Sequence, residues 1–302
     1  MTLIDVWEKY STKRKCHELL RRLRWPKGPE CPRCQGKAVT LNTDKELFWC
    51  GICDYQFTVT AGTIFHDSHL PIIKWFVAVY LICESRKGFS ANQMKRVLGV
   101  SYKTAWYLCH RIRAAMCGAF KPMLEGTIEM DETYVGGKMK GGKRGRGSEN
   151  KEIVIGLRQR GGELRLFHSA DVKSGTLARY IQENIDKNFS VIVTDDLGSY
   201  PPAIQRASIS PDRHKTIQHS SGAYVNGEIH TNTVENAFSL LKRGIFGTWH
   251  KISAKHLSAY LEEMMFRFNR RNDPDLFLDT LRHMVITPTL TFEKLTAQEL
   301  TL

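Results

Sequence analysis

The sequence predicts a multidomain protein of mixed α and β structure, in which a small cysteine-rich ribbon and a helical region precede a mixed sheet flanked by helices. Two Cys-x-x-Cys pairs near the start of the chain predict the ribbon, and helical hydrophobic patterns follow them. From residue 127 strand patterns alternate with helical ones, which predicts the sheet. We therefore divide the chain into an N-terminal helix with the ribbon (1–60), a helical region (61–126), a sheet domain (127–272) and a C-terminal tail (273–302).

Composition and charge indicate a folded protein that binds a polyanion. Hydrophobic residues make up 42% of the 302 residues and charged residues 25%, which is ordinary for a globular chain of about two domains. The formal net charge of +13 is uneven: residues 1–126 contain 20 Lys+Arg and 10 Asp+Glu, whereas residues 127–302 contain 24 and 21. Because a basic surface gains free energy from counterion release on DNA or RNA, we expect the first part to bind nucleic acid. Solubility alone explains so strong an asymmetry less well.

The sequence has the features of neither a membrane protein nor a secreted one. No stretch approaches the roughly 20 apolar residues that a membrane-spanning helix needs. The N-terminus also lacks the apolar core of a signal peptide. We therefore expect a cytoplasmic protein.

Four cysteines in the ribbon have the spacing of a metal site. Cys31 and Cys34 form one pair, Cys50 and Cys53 form the other, and fifteen residues separate the two pairs. Four thiolates at this spacing predict a tetrahedral structural Zn²⁺ site without an open coordination position, whereas four unrelated cysteines would have to produce both pairs by chance. The other cysteines lack such spacing and are expected to be small core residues in a reducing compartment; they are Cys16, Cys83, Cys109 and Cys117.

Helical patterns lie on both sides of the ribbon. Residues 5–24 predict a basic amphipathic helix, and residues 70–84 predict an apolar one. Two short helices are then predicted at 90–98 and 102–116, with a tight turn at Gly99 between them. This arrangement, with Ser90 and Ser101 as N-caps, is typical of a helix-turn-helix, although an ordinary helical hairpin has the same pattern.

In a helix-turn-helix the second helix enters the major groove of DNA with its N-terminal residues facing the bases. Tyr102, Lys103 and Thr104 occupy that place here. Arg111 and Arg113, further along the same helix, are then available for phosphate contacts.

The sheet domain contains five predicted strands and three predicted helices. The strands are 127–135, 152–158, 163–170, 190–194 and 215–219, and the helices are 174–184, 200–206 and 231–243. A basic glycine-rich stretch, 136–147, is expected to be a solvated loop, or a phosphate contact if it lies beside a carboxylate. The order of elements matches the ribonuclease-H-like fold, a mixed sheet flanked by helices.

In that fold, three acids meet at one edge of the sheet, from the first strand, the end of the fourth strand and the final helix. Asp131, Asp195 and Glu235 occupy these places. Three carboxylates close together require cations, and oxygen ligands favour Mg²⁺ or Mn²⁺ over zinc. Glu132 and Asp196, next to the two aspartates, are expected to be solvated or hydrogen-bonded acids.

The final predicted helix leaves two roles open for Glu235. Val234, Phe238 and similar residues form an apolar face, and Glu235 and Lys242 lie beside it. An acid three residues after Asn232 is also the pattern of a capping box, in which the Glu side chain accepts a free backbone N–H.

Several longer motifs resemble the bacterial insertion-sequence transposases of the DDE class, in the group that carries a zinc ribbon ahead of a ribonuclease-H-like catalytic domain. The matching segments are 24–28 (RWPKG) before Cys31, 60–65 (TAGTIF), 130–138 (MDETYVGGK), 194–195 (TD) with Tyr200, 232–235 (NTVE) and 242–245 (KRGI). The family's third acid can be Asn but is Glu235 here, seven residues before Lys242, as in the family's acid-plus-lysine signature. Glu263, Arg267 and Arg270 repeat a further family pattern, although their spacing also suits a helix salt bridge.

The resemblance implies metal-dependent phosphoryl transfer on DNA. Asp131, Asp195 and Glu235 would hold two Mg²⁺ or Mn²⁺ ions at the catalytic site. Lys242 would bind a phosphate near the cleaved bond. Water would first attack at the transposon end, and the freed 3′-hydroxyl would then attack target DNA.

The implied partners are the terminal inverted repeats, which the ribbon and the helix-turn-helix would recognise, and target DNA on the bacterial nucleoid. Work on two transposon ends implies a homodimer or a higher oligomer on DNA. Two alternatives remain open: a DNA-binding regulator with an inactive second domain, and a ribonuclease-H-like nuclease or resolvase that cuts without joining.

Overall fold

The computed structural model describes residues 1–117, 121–136, 151–217 and 230–297. Contacts divide the chain into two units, Met1–Ala119 with Arg270–Leu302, and Phe120–Asn269. The predicted four-part division stays a prediction, but residues 270–302 belong to the same unit as the N-terminal region. The predicted loop after Gly136 and the end of the strand predicted at 215–219 lie outside the described residues. Among the described residues, no helix is long and apolar enough to cross a membrane.

The first unit combines a small sheet with helices from both ends of the chain. Its strands are β1 (Val39–Asn42), β2 (Leu47–Cys50) and β3 (Gln56–Phe57). Its helices are α1 (Leu3–Lys9), α2 (Lys13–Arg24), α3 (Ile72–Glu84), α4 (Ala91–Leu98), α5 (Tyr102–Cys117), α10 (Leu276–Ile286) and α11 (Phe292–Thr296). Helix α10 packs against α2, α3 and α5, so the C-terminal segment takes part in this unit's core.

Two sequence predictions for this unit need correction. The single helix predicted at 5–24 is two helices, because the hydroxyl of Thr12 caps a new helix start by accepting the backbone N–H of Lys15. Cys16, Cys83 and Cys109 are buried as expected, but Cys117 is exposed at the end of α5.

The predicted pair of helices with a tight turn is present in this unit. Ser90 forms a capping box with Gln93 at the start of α4, and Ser101 accepts the backbone N–H of Thr104 at the start of α5. Gly99 ends α4 at φ 61°, a left-handed conformation that glycine adopts without steric cost.

The second unit is a five-stranded mixed sheet with helices on both faces. Its strands are β4 (Thr127–Val135), β5 (Glu152–Gln159), β6 (Leu164–Ser169), β7 (Val191–Thr194) and β8 (His214–Thr216). Its helices are α6 (Ser174–Asn184), α7 (Tyr200–Arg206), α8 (Asn232–Gly244) and α9 (Ala254–Asn269). The strand order is β6-β5-β4-β7-β8, with β5 antiparallel to β4 and β6, and with β7 and β8 parallel to β4 and to each other.

Alternation along β4 separates two hydrophobic cores. Ile128 and Met130 face a core that includes residues of α6 and α7. Val135 faces the core that α8 and α9 form on the other side. The side chain of Asp131 leaves the same face of the sheet as that of Val135. The side chain of Glu132 leaves the opposite face.

Candidate metal and catalytic sites

Asp131 lies in the middle of β4 beneath helix α8. Its partner on β5 is Gly156, where an added Cβ would lie 2.7 Å from Phe238 and 2.8 Å from Val234 of α8. Glycine therefore lets α8 approach the sheet closely beside Asp131.

Asp195 immediately follows β7 and lies beside Asp131. Strand β7 pairs with β4 from Thr127 to Glu129, so β4 continues past the end of β7 and leaves this edge open for side chains. Carboxylate oxygens of Asp131, Glu132 and Asp195 all lie within 4.8 Å of one another. The neighbouring Asp196 is exposed, as expected for a solvated acid.

Glu132 was expected to be a solvated or hydrogen-bonded acid, and it is hydrogen-bonded, but the sequence did not predict its place in this cluster. It is only 8% exposed, and the hydroxyl of the fully buried Tyr200 donates a hydrogen bond of 3.0 Å to its Oε2. Burial and the nearby acids raise the pKa of Tyr200 well above its usual value, so the phenol stays a neutral donor. Glu132 and Tyr200 are far apart in sequence, so no local pattern predicts their contact. The one available signal is that both lie in the segments that match the family.

Electrostatics at the cluster favour a bound cation. Burial and the negative charges of Glu132 and Asp195 raise the pKa of Asp131 to about 8, and the charge of Glu235 makes a smaller contribution in the same direction. The backbone N–H of Glu132 donates to Oδ1 of Asp131 at 2.8 Å, and this hydrogen bond partly lowers the pKa again. An all-oxygen donor set with excess negative charge suits a hard divalent cation. Asp131, Glu132 and Asp195 therefore fit a hard divalent cation.

Glu235 approaches this cluster from α8 but does not join it. Its charge contributes to the raised pKa of Asp131, yet Glu235 is not among the acids whose oxygens lie within 4.8 Å of one another. Its Oε1 instead accepts a hydrogen bond of 2.7 Å from the hydroxyl of buried Thr231. The structure thus brings Asp131 and Asp195 together and leaves Glu235 nearby, so its role as a ligand stays a prediction.

The capping box predicted for Asn232 and Glu235 is wrong. Helix α8 begins at Asn232, its N-cap is Thr231, and no side chain of the cap makes the expected hydrogen bond. The free N–H groups of Thr233 and Val234 donate instead to Glu129 of β4, at 2.8 and 3.0 Å. Sequence reasoning missed Glu129 because it lies about a hundred residues from the helix start that it caps.

Lys242 lies on α8 seven residues after Glu235 and is half-buried. Its spacing keeps it on the same side of the helix as Glu235. The phosphate-binding role of Lys242 stays a prediction.

The four ribbon cysteines form the predicted cluster. Their sulfur atoms all lie within 4.8 Å of one another, at 3.7 Å for Cys31 and Cys53 and at 3.6 Å for Cys34 and Cys50. A disulfide would require about 2.05 Å, whereas four sulfurs about 2.3 Å from a central zinc would be about 3.8 Å apart. The cluster therefore fits structural Zn²⁺.

The predicted DNA contacts on α5 divide into two groups. Tyr102, Lys103 and Thr104 are exposed at the start of the helix, and their role in base contacts stays a prediction. Arg111 is 3% exposed and donates to the carbonyl of His66 at 2.6 Å, and Arg113 is 1% exposed. Both side chains are inside the protein, so the surface of α5 does not present these two arginines to a DNA phosphate.

The pattern Glu263, Arg267 and Arg270 also has a structural explanation. Buried Glu263 and Arg267 form an ion pair of 3.1 Å one turn apart on α9. Arg270 pairs with Asp279 at 3.2 Å. The alternative of a helix salt bridge is therefore confirmed for the first pair.

Comparison with known proteins agrees with this arrangement of a cysteine ribbon and an acidic sheet edge. Residues 11–56 match the family described as transposase zinc-ribbon domain, and residues 123–269 match the ISXO2-like transposase domain. The chain is also similar to the "Uncharacterized protein in transposable element ISH50" of Halobacterium salinarum, with 30% identity over 275 residues, which cover 85% of this chain and 91% of the relative. The resemblance inferred from the sequence motifs is thus confirmed: the chain belongs to the zinc-ribbon transposases of the ISXO2-like family.

Proposed function

We propose that this protein is a DDE-type DNA transposase that cleaves DNA at transposon ends and joins the freed strand to target DNA. The observation that carries the proposal is the meeting of Asp131, Glu132 and Asp195 at the end of β7, with Glu235 close by on α8. The strand order of the second unit supports a ribonuclease-H-like catalytic domain, because the central strand β4 and its parallel neighbour β7 supply the two aspartates.

The catalytic acids act by holding cations and DNA in place. Asp131, Asp195 and Glu235 would hold two Mg²⁺ or Mn²⁺ ions, which stabilise the attacking and leaving oxygens of an in-line phosphoryl transfer. The carboxyl of Asp131 holds a proton more readily than an ordinary aspartate and must release it when a cation binds. Tyr200 keeps the carboxylate of Glu132 oriented at the same edge. Lys242 binds a phosphate oxygen through its ammonium group.

We further propose that the first unit recognises the terminal inverted repeats. The cysteine ribbon and the exposed start of α5 in a helix-turn-helix supply the binding surface, with Tyr102, Lys103 and Thr104 facing the bases. The excess positive charge of residues 1–126 supports binding to a polyanion. Because two ends are processed together, the active form is at least a dimer.

The test of this function is a cleavage and joining assay with the full-length protein, Mn²⁺ and DNA that carries the element's ends. Asp131→Asn should abolish cleavage and joining while end binding stays unchanged. The matched control is Asp196→Asn, which alters an exposed acid next to Asp195 and should retain activity. Retained cleavage by Asp131→Asn would contradict the catalytic assignment.

The same assay separates the alternatives. A wild-type protein that binds the ends and Mn²⁺ but does not cut would be a regulator. Cleavage without joined products would indicate a nuclease or resolvase.

A further inference from the structure

We propose that Glu129 is a positioning residue that fixes the start of α8, and with it Glu235, relative to Asp131. This inference rests on the proposed function, because it gives Glu235 a role in metal binding. It goes beyond that function in assigning a task to an acid outside the cluster of Asp131, Glu132 and Asp195.

Glu129 connects the catalytic strand to the catalytic helix. It lies two residues before Asp131 on β4, so both side chains leave the same face of the sheet. The side chain of Glu129 is fully buried, and its Oε2 accepts hydrogen bonds from the N–H of Thr233 at 2.8 Å, the hydroxyl of Thr233 at 2.8 Å and the N–H of Val234 at 3.0 Å. A carboxylate at this place also compensates the positive end of the helix dipole.

The second oxygen of Glu129 lies beside Arg160 and His230. Its Oε1 is 2.7 Å from Nε of Arg160 and 3.2 Å from Nδ1 of His230. Arg160 also donates to the carbonyl of His230 at 2.8 Å, which holds the chain two residues before the first residue of α8 at the same point. Both carboxylate oxygens of Glu129 therefore have partners within the protein, which fits a structural role better than the role of a metal ligand.

These contacts fix the position from which Glu235 extends. Glu129 holds the residues one and two places before Glu235, and Thr231 holds its carboxylate. A shift of the helix start would therefore move Glu235 away from Asp131 while leaving Asp131 and Asp195, which belong to the sheet, in place. The competing explanation is that Glu129 only stabilises the fold.

The experiment measures Mn²⁺ binding to the full-length protein by calorimetry and electron paramagnetic resonance. DNA cleavage is measured in the same variants. Glu129→Gln keeps the size of the side chain but loses its charge, and we expect affinity for the ion that needs Glu235 to fall at least about 10-fold, as when groups that hold metal ligands are removed. Glu129→Asp, which keeps the charge but is one methylene shorter, should give a smaller loss and covers the case in which Glu129→Gln does not fold.

A double-mutant cycle tells positioning from general stabilisation. If Glu129 acts through Glu235, Glu129→Gln should add little further loss of Mn²⁺ affinity in a Glu235→Gln background. The control is Leu177→Ala, a buried change on α6 at the opposite face of the sheet, which should lower the melting temperature but leave Mn²⁺ affinity unchanged.

The outcomes distinguish this inference from the proposed function. A wild-type protein that neither binds Mn²⁺ at these acids nor cleaves DNA would overturn the proposed function. A wild-type protein that binds and cleaves, with Glu129→Gln and Glu129→Asp equal to it in Mn²⁺ affinity, would overturn the positioning role alone. Independent, additive losses from Glu129→Gln and Glu235→Gln would also overturn it.

Discussion

The buried hydroxyl of Thr231 donates a hydrogen bond of 2.7 Å to the carboxylate of Glu235, one turn later on α8. The bond orients the carboxylate of Glu235, whose charge contributes to the raised pKa of Asp131, and no capping box forms at the start of α8. The acid at the start of α8 is therefore held by a neighbour on its own helix, while the helix itself is held by Glu129 of the sheet.

Removal of this hydroxyl should weaken metal binding. Thr231→Val keeps the shape of the side chain but not the donor, so Glu235 loses its orientation, and we expect Mn²⁺ affinity to fall about 10-fold. Titration calorimetry measures the change. Thr231→Ser keeps the hydroxyl and should remain close to the wild-type protein; equal affinities in all three proteins would show that the bond has no part in metal binding.

Gly156 should not tolerate a side chain. In Gly156→Ala the new Cβ would lie 2.7 Å from Phe238 and 2.8 Å from Val234, so α8 must shift away from the sheet. We expect a loss of about 1–3 kcal/mol in the free energy of unfolding, as for other overpacked cores, together with slower cleavage, because Glu235 moves with α8. Chemical denaturation and the cleavage assay measure the two effects. Gly175→Ala, at an exposed helical site whose nearest neighbour would be 3.6 Å away, is the control and should be neutral or stabilising.

The contribution of Asp131 to the free energy of unfolding, measured without divalent cations, should fall as pH rises from about 4 to 8. The folded-state pKa of Asp131, about 8, is above its unfolded value of 3.8. Between these values the folded protein keeps a proton that the unfolded chain has lost, so unfolding is favoured as pH rises, by up to about 1.4 kcal/mol per pH unit. Denaturation of the wild-type protein and of Asp131→Asn at several pH values measures the contribution of this group by difference.

Comparison of the two proteins also removes the opposite effect of three half-buried histidines on the pH dependence of stability. Burial lowers the pKa values of His17, His214 and His283, which makes the folded state gain stability as pH rises through their range. In Asp131→Asn the loss of stability with rising pH should be smaller than in the wild-type protein. Parallel stability curves for the two proteins would contradict the raised pKa of Asp131.

Zinc removal should unfold the ribbon but not the second unit. Exchange of the four cysteines for serine removes every thiolate of the cluster, and a small ribbon whose fold is coupled to metal binding unfolds when its ligands are lost. Zinc content by atomic absorption, circular dichroism and end binding are the measurements. Normal spectra and undiminished end binding in the variant would count against the zinc site.

The sequence predicted most elements of the sheet domain because their hydrophobic periods are regular. Helix α6 lies at the predicted residues, and Asp131 and Asp195 meet as predicted from their places on β4 and after β7. The pattern could not predict contacts between residues far apart in sequence. The role of Glu129 follows from its hydrogen bonds to the start of α8, and that of Glu132 from its hydrogen bond to Tyr200. Neither contact can be read from the local sequence around the two acids.

The same limit explains the error at α5. Arg111 and Arg113 follow a helix start with exposed polar residues, and a basic helix in a basic region predicts phosphate contacts. The structure buries both, and Arg111 stacks on Trp75 at 4.9 Å. The guanidinium of Arg111 is buried because α3 packs against it, and the hydrophobic periodicity of α5 carries no information about residues of another helix.

The central claim, that Asp131, Asp195 and Glu235 form one metal site, is tested most directly by a crystal structure of the protein soaked in Mn²⁺, with anomalous scattering to locate the ions. We predict a Mn²⁺ ion bound by Asp131 and Asp195, and a second within coordination distance of Glu235. Anomalous peaks away from these acids, or ions bound by Asp131, Glu132 and Asp195 with the carboxylate of Glu235 outside coordination distance of every ion, would contradict the claim.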